Sequence, residues 1–290
     1  MTLEPDLNSD PRTVANFGDE WARFPQNQRT HEHEMLRLFK HYFALFPWAS
    51  LPPDAVGFDF GCGTGRWARF VAPRVGRLHC VDASGAALAV ARQNLRQAAN
   101  CRFTQGAAES IPLAEGSADF GYALGVLHHI PDPLRALRVL VRRLKPGAPL
   151  LLYMYYDLSN RPRWYRLLWQ LSIAPRRWIC RLPRTPRTWA CDCIAALAYL
   201  PLARLARWLG PWAETRHLPL AYYRECSFYT MRTDALDRFG TPLEQRYSRT
   251  ALEALMAAAG LERVRCSDQL PYWVALGYRR TGLDPVPHAN

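Results

Sequence analysis

The sequence predicts an α/β fold, a doubly wound sheet assembled around a nucleotide-binding strand–loop–helix unit, and three observations carry that prediction. In Val56–Phe70, VGFDFGCGTGRWARF, alternating apolar residues (Val56, Phe58, Phe60) run into Gly61, Gly63 and Gly65 and then into helix-forming residues. A second apolar run, Arg77–Val81, ends on an acid, Asp82. Strand-like and helix-like runs then alternate as far as Tyr155, the pattern of parallel strands joined by crossover helices.

Each element can be justified in chain order. Residues 1 to about 13 read as a loose tail, and Phe17–Pro25 as an aromatic-rich turn or short helix. Thr30–Phe46 predicts a helix, because Met35, Leu36, Phe39, Phe43 and Phe46 recur at helical spacing on one stripe. Two readings stand for the N-terminal aromatics: packing on the sheet, or a lid formed by Phe17, Trp21 and Phe24 over a bound ligand. In the glycine loop, Gly61 and Gly63 admit backbone angles closed to other residues, and Gly65 lets the following helix, Arg66–Val75, pack close to its strand. Asp82 fits a carboxylate that takes both hydroxyls of a ribose, and also fits a cap for the helix Ser84–Ala98. That pair of features suits a nicotinamide dinucleotide equally well.

The next segment separates these alternatives. Cys101–Leu113 reads as a strand and a loop, and Asp119–Pro133, DFGYALGVLHHIPDP, as a strand ending in a turn. An amphipathic helix then stops at Lys145-Pro146-Gly147, and Leu150–Tyr155 is a further strand. With DFGCGTG at Asp59–Gly65, this order resembles the class I S-adenosylmethionine-dependent methyltransferases over roughly residues 55–156. The resemblance implies a Rossmann-like, seven-stranded doubly wound sheet whose last two strands, near Leu261–Cys266 and Tyr272–Tyr278, form a hairpin at its edge. A helix over 243–260, capped by Ser248 or Thr250, precedes that hairpin.

The resemblance implies S-adenosyl-L-methionine as cofactor, held by Asp59, Gly61, Cys62, Gly63, Gly65, Asp82, Ala83, Ala107, Ala108, Glu109, Leu124 and Gly125. One departure stands out: the family usually has an acid after Gly106 for the adenine amino group, and Ala107 and Ala108 follow here. Adenine is then left to backbone groups, Glu109 or apolar packing. His128 and His129 are the candidate bases at the carboxyl edge of the sheet, one facing the pocket and the other packed away, with Tyr153 and Tyr155 beside them. Tyr222, Tyr223 and Arg224 are candidates to close the pocket.

Composition sets outer bounds. The 290 residues carry a formal charge of +12, and Lys40 and Lys145 are the only lysines. A basic balance points to phosphate, nucleic acid or an anionic membrane. Eight cysteines without a CxxC pair predict reduced thiols, and the acidic, polar first residues do not read as a signal peptide, so a cytoplasmic location is expected.

The division expected is an N-terminal lid and helix (1–50), a cofactor-binding core (51–156), an insertion after strand five (157–242), a helix and hairpin completing the core (243–281), and a disordered tail (282–290). The insertion holds eleven arginines between Leu158 and Arg216 against Asp192 and Glu214, interleaved with six tryptophans. Its apolar run, Cys193–Ala203, is too short to cross a bilayer. A helical cap burying its tryptophans is the leading reading, a cap on an anionic membrane the second, and an RNA platform the least favoured, as no RNA-binding module is recognisable. Cys180, Cys191 and Cys193 lack a fourth ligand, so no metal is expected. The functional expectation is methyl transfer to a small-molecule, glycan or lipid-linked acceptor through an O, N or S atom. A non-catalytic cofactor-binding module, a nicotinamide-dependent oxidoreductase and an RNA methyltransferase are the alternatives.

Overall fold

The computed structural model describes residues 8–27, 31–210, 218–270 and 272–282; the expected C-terminal tail lies outside them except for Gly282, as do residues 1–7 of the expected N-terminal tail. Seven strands form one sheet: β1 Val56–Phe60, β2 Arg77–Asp82, β3 Cys101–Gln105, β4 Phe120–Leu124, β5 Pro149–Tyr153, β6 Leu261–Cys266 and β7 Val274–Arg279, in the order β3-β2-β1-β4-β5-β7-β6. The first five are parallel; β7 runs antiparallel to both β5 and β6. The expected fold and its terminal hairpin are thus present.

Side chains alternate across the sheet and feed two cores. Leu151 packs with Leu78, Tyr122 and the N-terminal aromatics, whereas Leu150 and Leu152 pack on the other face with Leu137, Leu140 and Met256. The chain reverses its winding between β1 and β4, and the crevice outside their carboxyl ends is where such sheets take ligands.

Several boundaries differ from expectation. A 13-residue helix, α1 Pro11–Arg23, occupies part of what reads as tail and turn: Asp10 caps it by accepting the Thr13 N–H, and Pro11 occupies its first turn. The next helix, α2, is Glu32–Tyr42, and buries Met35, Leu38, Phe39 and Tyr42. After the glycine loop only Ala68–Val71 (α3) is α-helical, because Pro73 leaves a 3₁₀ turn at Ala72–Arg74. Ser84, not Asp82, caps α4 (Gly85–Asn94) through the Ala87 N–H. Asp132 caps α5 (Pro133–Arg143).

Between β5 and the C-terminal helix the insertion is helical: α6 Arg163–Ile179, α7 Arg184–Ile194, α8 Leu200–Leu209 and α9 Phe228–Gly240. A single π-helical stretch, Ala195–Tyr199, fuses α7 and α8 just before Pro201, which has no N–H to give the helix ladder. The result is one 26-residue helix, Arg184–Leu209, long and apolar enough by length and composition to cross a membrane. The sequence reading, which saw only the uncharged Cys193–Ala203, missed this continuity. Helix α10, Arg249–Ala258, is capped by Ser248 and precedes the hairpin.

Helix α1 ties core and cap together. Gly18 lies against Ser84 at the start of α4, where a Cβ would come within 2.8 Å of the hydroxyl. On the cap side, Asn16 donates to the Gly240 carbonyl at 2.9 Å. Arg187 of α7 bonds Asn16 and, at 3.2 Å, Asp19.

Candidate active site

The glycine loop takes its shape from two contacts. Gly61 has φ +72°, and a Cβ there would sit 2.1 Å from Val126 in the loop after β4. Gly63 has φ +53°, and its missing side chain leaves the face on which Trp21 of α1 rests. Gly65 faces Leu95 and Ala91 rather than the cavity, so it serves helix packing.

At the end of β2, Asp82 closes the loop. Its Oδ2 accepts the Gly63 N–H and its Oδ1 the Ser84 N–H, both at 2.8 Å. Burial pushes this carboxyl above the usual aspartate value, against the pull of the two N–H groups. Each oxygen keeps a lone pair for a further donor, and the group borders the large cavity over the crevice. The chain therefore fits a ribose-bearing cofactor here: Gly61–Thr64, Asp82, Ala83, Gly106, Ala107, Leu124 and Gly125 line one continuous wall. Arg66 lies on the same wall, with its guanidinium over the Trp67 and Trp21 rings.

Besides Gly65, three expected cofactor residues lie elsewhere. Asp59 is buried beneath the loop, where loss of water pushes its carboxyl up to about 8. Ala108 is buried behind the cavity wall. Glu109 is on the surface, outside the cavity lining, and pairs with Arg135 at 3.3 Å. Ala107 and Leu124 leave that part of the wall apolar.

Across the cavity stands a polar cluster joining core and cap. His129, in the turn after β4, lines the cavity; His128 does not. His128 is fully buried, stacked on Tyr155 with ring centroids 4.0 Å apart. Burial, then the neighbouring His129 and Arg246, push it well below the ordinary histidine value, so it stays neutral packing. His129 Nδ1 lies 2.6 Å from the Leu243 carbonyl, an acceptor only, which places the ring hydrogen on Nδ1. Its Nε2 faces Asp237 Oδ1 of α9 at 3.5 Å. Tyr155 donates to the other oxygen of Asp237. Burial raises the Asp237 carboxyl, but His129 and the Tyr155 hydroxyl outweigh it, and the group rests below the usual aspartate value.

Tyr153 and Tyr155 line the cavity, as do Phe17, Trp21, Tyr222 and Tyr223. Tyr223 is fixed by a 2.6 Å bond to Asp234. Phe17 meets the His129 ring edge-on, with centroids 4.9 Å apart. Two expected lid residues point away: Phe24 is buried against Tyr229, and Arg224 is exposed and paired with Glu225.

Sequence reasoning missed Glu20, Arg66, Asp234, Asp237 and Arg238 as cavity-lining groups. A signal existed. Asp234, Asp237 and Arg238 recur at i, i+3 and i+4, and Phe17, Glu20 and Trp21 repeat that spacing, so each set shares one helix face. Glu20 is almost wholly buried with Oε1 unpartnered; burial, then Asp237 and Asp234, push its carboxyl well above the ordinary glutamate value. Among the described residues no group of three histidine, cysteine or acidic side chains is placed to hold a metal.

Comparison with known proteins adds to this geometry. Residues 58–152 match the family model described as a methyltransferase domain. A 2-phytyl-1,4-naphtoquinone methyltransferase of Thermosynechococcus vestitus is 34% identical over 136 residues, 44% of this chain and 60% of that protein. The malonyl-[acyl-carrier protein] O-methyltransferase of Pectobacterium atrosepticum is 30% identical over 128 residues, 44% of this chain and 46% of that protein. The chain thus spans less than two thirds of either relative. In fold it resembles a chain from the complex between the Haloferax volcanii Trm112 methyltransferase activator and the chain designated its methyltransferase, with TM-score 0.53 and 15% identity, covering 91% of this chain and 97% of that one. The match spans β1 to β5, the strands that carry the glycine loop, Asp82 and the wall ending at Gly125. Over that segment the chain carries a methyltransferase domain of the S-adenosyl-L-methionine-dependent class, with S-adenosyl-L-methionine as its cofactor.

Proposed function

We propose that this chain methylates a small-molecule acceptor that must lose a proton on reacting, a hydroxyl or an ammonium, in the cavity between core and cap. The observation that supports it best is that His129 and Asp237, which both line that cavity, face each other through Nε2 and Oδ1 at 3.5 Å, two buried atoms with no other hydrogen-bond partner. Bound S-adenosyl-L-methionine supplies an electrophilic methyl group. The protein's own part is to hold the cofactor, align the acceptor and take its proton.

Asp82 takes the ribose hydroxyls, Ala83, Ala107 and Leu124 hold adenine by apolar contact, and Arg66 is the cation for the amino-acid carboxylate. The base is His129. With its hydrogen committed to Leu243 through Nδ1, Nε2 is where the ring gains a proton, and the opposite carboxylate stabilises the resulting positive charge. A thioether acceptor would need no such pair. Phe17, Trp21 and Tyr222 cover the site and exclude water. A lipid- or glycan-linked acceptor falls within this proposal, because the cap forms one wall of the cavity.

The test is methyl transfer from radiolabelled S-adenosyl-L-methionine into fractionated small-molecule and lipid extracts, with wild type and His129→Asn side by side. Label transfer by wild type, reduced at least about 100-fold in the variant with cofactor binding kept, supports the proposal. Equal transfer by both proteins contradicts the base assignment, and cofactor binding without transfer to any fraction favours a non-catalytic module.

A further inference from the structure

The outer side of the cap carries an apolar and cationic surface that the cavity does not use. Of the twelve large apolar side chains exposed among the described residues, eleven lie between Trp164 and Trp208, and Phe228 is the other. Trp178 is 76% exposed, Trp189 and Trp208 70%, and Leu197 79%. Tryptophans left this open run against the normal preference for burying large apolar area. Arg177, Arg204 and Arg207 are exposed along the same helices, and Arg181 in the turn between α6 and α7. From Leu158 to Gly210 the only acid is Asp192, and it faces inward: Arg23 holds it at 2.6 Å and Arg232 at 2.9 Å.

The helix Arg184–Leu209 has two faces. Cys191, Ala195, Tyr199, Ala203 and Ala206 are buried at helical spacing, and the helix packs against α9 and the 3₁₀ turn Ala221–Glu225. A spanning helix would have to give up that packing and the hold of Arg187 on Asn16 and Asp19. With one face committed to protein, the helix can offer a membrane only its other face. Aromatic and aliphatic side chains with arginine interspersed and no exposed acid are what the interface of an anionic bilayer accepts.

We propose that the outer surface of α6 to α8 docks in the plane of an anionic lipid membrane. A second copy of the chain fits this surface poorly, since two-fold pairing would bring arginines against arginines with no acids to meet them. The inference goes beyond the methyl-transfer reading and does not depend on it.

Flotation of the full chain with phosphatidylcholine vesicles, with or without about one quarter phosphatidylglycerol, tests it at low and at about 0.5 M salt. The expected result is partitioning at least about tenfold stronger to the anionic vesicles at low salt, largely lost at high salt. The R177E/R181E/R204E/R207E variant should lose binding at least about tenfold, and so should W178S/W189S/W208S. Tryptophan quenching of wild type by brominated lipid gives a readout independent of any variant's folding. Equal or absent binding of wild type to both vesicle types overturns the proposal. So does concentration-dependent self-association that protects these tryptophans, or binding of single-stranded RNA with none to vesicles. Cofactor affinity measured on the same samples should be unchanged in both variants, so a failure here leaves the methyl-transfer reading separately testable.

Discussion

His129 Nε2, in the turn after β4, faces Asp237 Oδ1, on a helix of the cap, at 3.5 Å. The pair that would move a proton is therefore shared between the sheet and the helical insertion after β5. Neither part alone completes the site.

Asp237→Asn should keep the fold of α9 and the Tyr155 contact but remove the charge opposite Nε2. The expected loss in kcat is about 10- to 1,000-fold, with cofactor affinity within about threefold of wild type. Steady-state kinetics on the acceptor found by extract screening, paired with cofactor titration, reads both quantities. An affinity loss matching the rate loss would make Asp237 a binding group instead.

Asp82 bridges two backbone N–H groups and is the proposed ribose acceptor, so Asp82→Ala should act twice. Stability should fall by about 1–3 kcal/mol in denaturant unfolding, because the Gly63 and Ser84 N–H groups lose their acceptor. Cofactor affinity should fall at least about tenfold, since hydrogen bonds to a charged acceptor are each worth about 1.5–3 kcal/mol. Unchanged affinity by calorimetry would overturn the ribose assignment.

Glu20 should make stability depend on pH. Its folded-state carboxyl is raised above the 4.5 of an unperturbed glutamate, so the folded chain holds that proton more tightly than the unfolded chain. The contribution to stability is fully present below pH 4.5 and is lost as pH rises through the folded value. Each unit of displacement is worth ~1.4 kcal/mol. Glu20→Gln should therefore gain thermal stability over wild type as pH rises from 4.5 into the alkaline range, read by melting curves across pH. A difference that stays flat with pH would show that Glu20 titrates normally.

Gly61→Ala should be among the worst single changes in the loop. It forces an alanine into φ +72° and places its Cβ 2.1 Å from Val126. Strain and overpacking together should destabilise by about 2–5 kcal/mol, seen as a lower denaturation midpoint with unaltered slope.

What could be read from the sequence follows from how local each signal is. Strands β1 to β5 and the glycine loop show in short runs, since an apolar strand, a φ-permissive turn and an acid at the next strand's end fall within a few residues. Helix α1 reads as tail and turn in the sequence because its anchors lie far off along the chain, at Ser84, Gly240 and Arg187. The choice between His128 and His129 required knowing which carboxylate approaches, and Asp237 is 108 positions away. Glu109 was the only acid near the expected adenine position, but the turn at 108–110 points it outward to Arg135. The cap's exposed tryptophans could be counted but not placed until the π-helical stretch showed α7 and α8 to be one rod.

Calorimetric titration of the purified chain with S-adenosyl-L-methionine, S-adenosylhomocysteine and NAD in parallel tests the account most directly, on protein cleared of co-purified ligand. The expected result is binding of the first two on the order of micromolar and no heat from NAD. NAD binding in the absence of S-adenosyl-L-methionine binding would contradict the assignment of the loop, Asp82 and the cavity they line.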